Sequence, residues 1–407
     1  MIRYRRALED TLSEDLGVYP VVALVGARQV GKSTLTRQIA DARDMTYLTL
    51  DDREMLAEAT ELPARLLARA GPGGLCIDEA QRAPALFLAV KQLVDIDQRP
   101  GRIILTGSNQ PAFGASVGDS LLGRAAYRTL RPLSQSEIRL AESHDGWSAL
   151  FDEPDLNVLL SLLDERALLN ATADWREIVR VGGFPRALAA PPASARRILD
   201  DYIETFVQRD IRQVLNIESP ERFEAFVRLA YARTGQELNY SGMSRDLGTP
   251  VKTLRSWGDA LTRSYMIELV PAFTRNAGER VIKWPKLYAV DAGLAIAGAR
   301  EAEPTGFHLE TLIASDLLRW RDGAAGRLVS HWRLGTGQEV DFIVEQHSKR
   351  VAVEVKATSS VSGDSARHLR TFMDRVDGSA RAIVLSNDPE VQSLRSGVLA
   401  APWWSVV

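Results

Sequence analysis

Residues 21–33 read VVALVGARQVGKS, an apolar run followed at once by a glycine-rich loop. The run is rich in β-branched residues, which predicts a buried strand of a parallel sheet. The loop fits the pattern G-x-x-x-x-G-K-[ST] in full, and the residues after it continue as an amphipathic helix. A strand, a glycine loop and a helix in this order predict a P-loop, in which backbone amides surround nucleotide phosphates.

Each position of this loop has an expected part in binding ATP. The two glycines let the backbone amides point inward, Lys32 can reach the β- and γ-phosphates, and the hydroxyl of Ser33 can ligate Mg²⁺. A chance match in a glycine-rich turn is the alternative, and the strand and helix around the loop disfavour it. The expected cofactors are therefore ATP and Mg²⁺. The expected nucleotide-binding residues of the loop are Gly26, Ala27, Arg28, Gln29, Val30, Gly31, Lys32, Ser33 and Thr34.

A second apolar strand ends in two carboxylates, in the sequence LCIDE at 75–79. Asp78 is expected to hold Mg²⁺ from the strand end, and Glu79 is placed to activate a water for attack on the γ-phosphate. A solvated acidic pair at a strand end is the alternative, and the complete P-loop disfavours it. The two motifs together predict hydrolysis of ATP to ADP and phosphate.

Two further features are expected to complete the site. A third strand, 102–106, is followed by Ser108 and Asn109, one of which would lie beside the γ-phosphate, although an ordinary turn also explains them. Arg124 is a candidate arginine finger, which would stabilise transition-state charge from a neighbouring subunit. The arginines that compete for this role are Arg28, Arg128 and Arg131.

Taken together, these motifs resemble an AAA-type P-loop ATPase family of bacteria and archaea, whose members carry a C-terminal domain of unknown function that looks restriction-endonuclease-like. The resemblance implies an α/β fold with an AAA-like P-loop parallel sheet, a helical lid, a winged-helix domain and a small restriction-endonuclease-like α/β domain. It also implies a homo-oligomer, since sites of this type are usually completed between subunits. The segments that carry it are Gly26 to Ser33, Leu75 to Glu79 with Gln81, Thr106 to Ser108, and Gly123-Arg124 before Pro132-Leu133-Ser134.

Length and composition limit the alternatives. A chain of 407 residues is too long for one ordinary core, so two to four domains are expected. The net charge of −3 gives no chain-wide basic signal, so any surface for DNA must be a local patch. The single cysteine, Cys76, excludes an intramolecular disulfide and favours a cytoplasmic location. No segment has 18 uninterrupted apolar residues, so no membrane span is expected.

The expected domains are the ATPase core at 1–135, a helical lid or linker at 136–215, a winged-helix-like domain at 216–300 and a nuclease-like domain at 301–407. In the lid, Pro185 follows the sharp turn that begins at Gly182. A similar element in AAA-like ATPases packs near the adenine, so the resemblance suggests the same for Pro185. A simple helix stop explains the turn equally well.

Within 216–300, two helices separated by Gly248 form a helix-turn-helix pattern. On the second helix, the apolar residues from Leu254 to Tyr265 fall at helical spacing and would face the core. Contact with the DNA backbone is one interpretation of the strand-like run that follows, and contact with the ATPase core is the other. The cations of this run are Arg275, Arg280, Lys283 and Lys286.

Residues 339–345 and 350–357 alternate as two strands around a polar turn, which predicts a β-hairpin. A turn centred after His347 places Asp341 opposite Glu354, and two facing carboxylates repel unless a cation or proton lies between them. Asp341 and Glu354 are therefore expected to ligate Mg²⁺, and Lys356 is placed to position the attacking water.

This arrangement resembles the catalytic signature of the restriction-endonuclease-like fold, although Val340 stands where a proline often precedes the aspartate. The resemblance adds an acidic residue on the preceding helix. The expected catalytic set is Glu310, Asp341, Glu354 and Lys356. The alternative is cross-strand salt bridging, with Glu339 paired to Lys356 and Asp341 to an arginine.

Two uses of the ATPase follow from these expectations. In the first, ATP turnover is coupled to DNA binding or processing through the winged helix and the nuclease-like domain, with Mg²⁺-dependent endonuclease activity left open. In the second, an ATP/ADP conformational switch scaffolds protein partners in stress or defence signalling, and the nuclease-like domain is inactive.

Overall fold

The computed structural model describes residues 4–108, 121, 123–140, 145–171, 174–211, 219–274, 284–335, 337–376, 380–394 and 397–407. The chain divides into two compact units. The first comprises residues 1–133 with the short segment Arg263–Met266, and the second comprises residues 134–262 and 267–407. The finer division into four domains stays a prediction.

The first unit is built on a five-stranded sheet in which every strand pair is parallel, in the order β2-β3-β4-β1-β5. The strands β1, β3 and β4 are buried along their whole length, as the strands of a covered parallel sheet require. The strands are β1 (Val21–Val25), β2 (Thr46–Thr49), β3 (Leu75–Asp78), β4 (Ile103–Gly107) and β5 (Ala125–Thr129). The helices are α1 (Leu8–Asp15), α2 (Lys32–Ala42), α3 (Arg53–Glu61), α4 (Pro63–Leu67) and α5 (Pro84–Ile96).

The second unit begins with short helices, which confirms the helical prediction for this part of the chain. A π-helical turn at Phe206–Asp210 extends the last of them. The carboxylate of Asp155 caps α8, one of the two 14-residue helices here, by accepting from the amides of Asn157 and Val158. The helices are α6 (Gln135–Ile138), α7 (Gly146–Asp152), α8 (Leu156–Leu169), α9 (Trp175–Val181), α10 (Pro185–Leu188) and α11 (Pro192–Thr205).

The next part of the second unit combines three helices with a three-stranded antiparallel sheet in the order β6-β8-β7. Gly248 separates two of the helices in a left-handed conformation, as predicted, and the second of them begins at Val251. Of the predicted wing cations, only Lys286 lies within the described residues. The elements are α12 (Pro220–Ala232), β6 (Gln236–Glu237), α13 (Tyr240–Leu247), α14 (Val251–Arg263), β7 (Ile267–Val270) and β8 (Lys286–Ala289).

The last part is a six-stranded mixed sheet in the order β13-β14-β12-β11-β10-β9. Leu309 and Ile313 of α16 pack in the core on one side, and Leu369 and Phe372 of α17 pack in a second core cluster. The helices are α15 (Ala292–Ala299), α16 (Gly306–Asp322) and α17 (Arg367–Arg375). The strands are β9 (Arg327–Leu334), β10 (Gln338–Gln346), β11 (Lys349–Lys356), β12 (Ala380–Ser386), β13 (Gln392–Ser393) and β14 (Leu399–Pro402).

The predicted hairpin is confirmed. The strands β10 and β11 are antiparallel, with Gln346 paired to Lys349 and Phe342 paired to Val353. One step further along this register, Asp341 lies beside Glu354. Among the helices of the described residues, none combines the length and apolarity needed to cross a bilayer.

Candidate functional site

The P-loop connects β1 to α2, and its backbone needs glycine at the two glycine positions of the motif, Gly26 and Gly31. Gly26 has a φ of 147°, and a Cβ placed there would lie 2.2 Å from the carbonyl oxygen of Leu130. Gly31 has a φ of 101° and precedes the first residue of α2. Because L side chains rarely adopt these backbone conformations, the loop geometry follows from the two glycines.

Lys32 is the first residue of α2, and its ammonium folds back over the loop. Its Nζ donates to the carbonyl oxygens of Gly26, at 2.9 Å, and Ala27, at 2.8 Å. Burial lowers the pKa of Lys32 to about 8, although the charges of Glu79 and Asp78 oppose this effect. The arrangement holds a positive charge at the mouth of the loop, where a nucleotide phosphate would bind.

An arginine outside the motif stabilises the loop through hydrogen bonds to two backbone carbonyl groups. Arg6 is buried, and its guanidinium donates to the carbonyl oxygens of Val30, at 2.8 Å, and Arg131, at 2.6 Å. It thereby ties the P-loop to the segment after β5. No local pattern predicts this role of Arg6, because its second partner lies 125 residues further along the chain.

The carboxylate of Asp78 is held from two neighbouring strands. One oxygen accepts a hydrogen bond from the hydroxyl of Thr106, and the other accepts from the phenol of Tyr47 at 2.7 Å. Burial raises the pKa of Tyr47, so the phenol stays a donor near neutral pH. Ser33 is half-buried at the start of α2. A hydroxyl and a carboxylate are the hard oxygen donors that Mg²⁺ prefers, so these residues fit this ion.

Glu79 follows Asp78 in a left-handed conformation, with φ 58° and ψ 37°. Such strained backbone positions cost about 1–3 kcal/mol and cluster at functional sites. The amide of Glu79 donates to the Thr106 hydroxyl at 3.2 Å, and its carboxylate accepts from the side chain of Gln81. The same Gln81 amide lies 3.2 Å from the hydroxyl of Ser108. Glu79, Gln81 and Ser108 therefore form one group, while Asn109 lies outside the described residues.

The arginines proposed for the finger differ in their contacts. Arg128 makes two hydrogen bonds to Asp15, at 2.7 and 2.8 Å, which hold it within its own chain. Arg124 contacts Asp95 at 2.5 Å, in a pair whose side chains are both more than a third exposed. Exposed pairs contribute only about 0–1 kcal/mol, so the ion pair with Asp95 adds little stability.

The glycine turn before Pro185 has a partner within the second unit. Asp291, which caps α15, accepts from the amide of Gly183 at 2.7 Å, and a Cβ at Gly182 would lie 2.2 Å from its carboxylate. Burial raises the pKa of Asp291 to about 6. This contact explains the glycines by packing, so the adenine contact of Pro185 stays a prediction.

A second group of charged residues lies in the last part of the chain, centred on Lys286. This lysine is 1% exposed, which corrects its expected place on a DNA-binding surface. Its Nζ lies 2.9 Å from Glu310, 2.5 Å from Glu339 and 3.1 Å from Asp341. Burial alone would lower the pKa of Lys286, but the surrounding oxygens raise it well above its ordinary value. We call Glu310, Glu339 and Asp341 the carboxylate cluster.

The remaining predicted nuclease residues lie at the edge of this cluster. Lys356 donates to one oxygen of Glu354 at 2.6 Å, so the alternative pairing of Lys356 with Glu339 is wrong. The other oxygen, Oε2, has no hydrogen-bond partner among the described residues. Burial and the charge of Asp341 raise the pKa of Glu354 to about 8, and the same two causes raise that of Glu310 to about 7.

This arrangement does not fit Mg²⁺ as it stands. One oxygen of Asp341 contacts the ammonium of Lys286, and the other accepts from the amide of Val355 at 2.9 Å. A second cation beside that ammonium would be repelled. Within the described parts of the chain, no three or more His, Cys, Asp or Glu side chains are arranged to hold a metal. The assignment of Asp341 and Glu354 as metal ligands stays a prediction.

Comparison with known protein families divides the chain into three matched parts. The family described as "AAA domain" matches residues 18–139. Two families described as domains of unknown function, DUF8612 and DUF4143, match residues 172–304 and 305–406.

Similar whole proteins come from mycobacteria and an archaeon. Uncharacterized proteins of Mycobacterium tuberculosis and Mycobacterium bovis are each 30% identical to this chain, over 99% of its length and 84% of theirs. A Walker-type ATPase of Pyrococcus abyssi has a solved structure with a TM-score of 0.43 and 16% identity, over 73% of this chain and 96% of that one. With its AAA-domain and DUF4143 matches and its mycobacterial relatives, the chain belongs to the AAA-type P-loop ATPase family that carries a C-terminal domain of unknown function (DUF4143).

Proposed function

We propose that this protein is a Mg²⁺-dependent ATPase that hydrolyses ATP to ADP and phosphate. The observation that carries the proposal is the convergence of Lys32, Asp78 and Glu79 beyond the carboxyl ends of β1 and β3, which flank β4 in one parallel sheet. In open α/β sheets, ligands bind at this edge. The influence of Asp78 and Glu79 on the pKa of Lys32 reflects their closeness.

The residues divide the work of hydrolysis between binding and positioning. Lys32 and the loop amides bind the phosphates, and Ser33 and Asp78 hold Mg²⁺, which when bound neutralises charge on the β- and γ-phosphate oxygens. Glu79 orients and deprotonates the attacking water, and its contact with Gln81 holds the carboxylate in place. The other nucleotide contacts we propose are Gly26, Ala27, Arg28, Gln29, Val30, Gly31, Thr34, Ser108, Asn109 and Pro185.

The test measures phosphate release and ATP binding by the wild type, Lys32→Ala and Glu79→Gln. Lys32→Ala is expected to weaken ATP binding and abolish turnover. Glu79→Gln is expected to bind ATP but to lose about 10²–10⁴-fold in turnover, the usual contribution of a positioned base. Lys91→Ala and Glu61→Gln are matched controls in the same unit and should behave as the wild type. Turnover that survives both site substitutions would exclude this site as its source.

A second observation supports coupling of this ATPase to DNA. The segment from α12 to β8 has the order helix, strand, helix, helix, strand, strand, which is that of a winged helix. On α14, Lys252 and Arg255 are exposed, while Leu254 and Trp257 are buried. We infer that this exposed face binds the phosphate backbone of DNA.

The same phosphate-release assay distinguishes the two uses of the ATPase when single- and double-stranded DNA are added. Coupling is supported if DNA stimulates turnover and if the double variant Lys252→Glu with Arg255→Glu loses this stimulation but keeps basal turnover. A nicked DNA product that Glu354→Ala removes would support cleavage by Glu310, Asp341, Glu354 and Lys356. Turnover that ignores DNA, with an assembly state that differs between ATP and ADP, would support the switch instead.

A further inference from the structure

Strand β8 places a lysine inside the last part of the chain rather than on a surface. The ammonium of Lys286 has three carboxylate partners within 3.1 Å. It donates hydrogen bonds to Glu310 and Asp341 and forms a close ion pair with Glu339. Glu310 reaches it from α16, and Glu339 and Asp341 reach it from β10. The phenol of Tyr288, two residues along β8, donates to the same oxygen of Glu310 at 2.6 Å.

Two buried carboxylates, Glu310 and Asp341, and the partly exposed Glu339 converge in this way only around a positive charge or a proton. In this structure the ammonium of Lys286 supplies that positive charge. Its Nζ lies 2.5–3.1 Å from the carboxylate oxygens and so occupies the position between them. The cluster therefore holds an ammonium where the sequence pattern predicts a divalent metal.

We propose that Lys286 is the built-in cation of the carboxylate cluster, and that its ammonium takes the place of a divalent metal there. In this conformation the cluster is closed to Mg²⁺, so the domain it belongs to cannot use these carboxylates for metal-dependent cleavage. The lysine comes from the three-stranded sheet, so the same contact fastens that sheet to α16 and β10. Removal of the Lys286 side chain leaves an acidic site that a divalent ion can fill.

Glu354, at the edge of the cluster, offers a further ligand for a divalent ion once the Lys286 side chain is removed. Its side chain is 4% exposed, and its Oε2 has no hydrogen-bond partner among the described residues, although Lys356 binds Oε1. An acceptor of this kind becomes a further ligand when a divalent ion replaces Lys286. The proposal does not depend on ATP hydrolysis and is tested on nucleotide-free protein.

The experiment compares thermal unfolding of the wild type and Lys286→Ala in EDTA and in increasing Mn²⁺ or Mg²⁺. The unfolding temperature of the wild type should show no metal-dependent shift that requires Asp341. A parallel titration of Asp341→Asn tests whether any shift depends on this carboxylate. Lys286→Ala should unfold at a lower temperature in EDTA and recover by several degrees in metal, with saturation. Adding Asp341→Asn to this variant should abolish the recovery. Lys252→Ala, which removes an exposed lysine from the same unit, serves as the matched control.

Two results would overturn the proposal. The first is Asp341-dependent binding of Mn²⁺ by the wild type, measured by calorimetric titration, which needs no variant at the lysine. The second is a folded Lys286→Ala protein that binds no divalent ion, which would reduce the cluster to an ordinary ion-pair network. If Lys286→Ala does not fold, the double variant Lys286→Met with Glu310→Gln, which removes one charge of each sign, replaces it. This double variant is then used in both the unfolding and the metal-binding measurements.

Discussion

Single residues outside the P-loop motif determine how the ATP site is held. Asp78 ends β3, but its two oxygens are fixed by Tyr47 of β2 and Thr106 of β4. The phenol of Tyr47 is in turn covered by Arg37, whose guanidinium lies 4.4 Å from the ring centroid. We propose Asp78 as a magnesium ligand, and a ligand already held by two hydrogen bonds would lose less entropy on binding the ion.

Tyr47→Phe removes the 2.7 Å hydrogen bond to Asp78 and keeps the ring under Arg37. Hydrogen bonds to charged groups contribute about 1.5–3 kcal/mol, so we expect the Mg²⁺ concentration for half-maximal ATPase activity to rise about tenfold or more. Titration of phosphate release with Mg²⁺ at saturating ATP measures this. Tyr127→Phe on β5 is the matched control, and an unchanged Mg²⁺ dependence in Tyr47→Phe would show that the bond has no part in metal binding.

At the scale of helices and strands, local patterns predicted what local physics determines. The P-loop, its flanking strand and helix, and the β10–β11 hairpin with its register all follow from residues close together in the chain. The position of Lys286 does not, because its partners Glu310 and Asp341 lie 24 and 55 residues away. A lysine in a short strand is predicted to lie on the surface when only the sequence is known, because the buried carboxylates that neutralise it cannot be recognised from nearby residues.

The start of α16 makes a prediction at this scale. The ring nitrogen Nδ1 of His308 accepts from the amide of Thr305 at 2.9 Å and closes the first turn of the helix. Burial lowers the pKa of His308 to about 4, below its value of about 6.5 in the unfolded chain. The unfolded state therefore binds the proton more tightly, and stability is lost as the pH falls from about 6.5 to 4.

His308→Gln keeps an acceptor for the Thr305 amide but removes the titration. We expect its free energy of unfolding to fall less steeply with decreasing pH, by up to about 1.4 kcal/mol per pH unit between 6.5 and 4. Urea unfolding at several pH values in this range measures the slope. His347→Gln, which removes an exposed imidazole from the hairpin turn, is the matched control. Parallel curves for His308→Gln and the wild type would mean that His308 does not titrate across this range.

At the scale of the whole molecule, the proposed finger predicts how copies of the chain cooperate. Arg124 pairs with Asp95 and more than a third of its side chain is exposed, whereas Arg128 makes two hydrogen bonds to Asp15. If Arg124 completes the site of a neighbouring subunit, Arg124→Ala and Lys32→Ala are each inactive alone. A mixed assembly regains some sites, because a Lys32→Ala subunit supplies its intact Arg124 to a neighbour with an intact P-loop.

Random mixing of equal amounts places an intact P-loop beside an intact arginine at about a quarter of the sites in a ring of identical interfaces. We therefore expect the mixture, disassembled and reassembled together, to recover up to about a quarter of wild-type phosphate release. Arg128→Ala mixed with Lys32→Ala should give no more than the average of its two components, since the pair of Arg128 with Asp15 acts within one chain. If Arg124→Ala is inactive by itself and its mixture with Lys32→Ala does not recover activity, Arg124 acts within its own subunit. If Arg124→Ala is fully active, Arg124 has no part in the ATPase site.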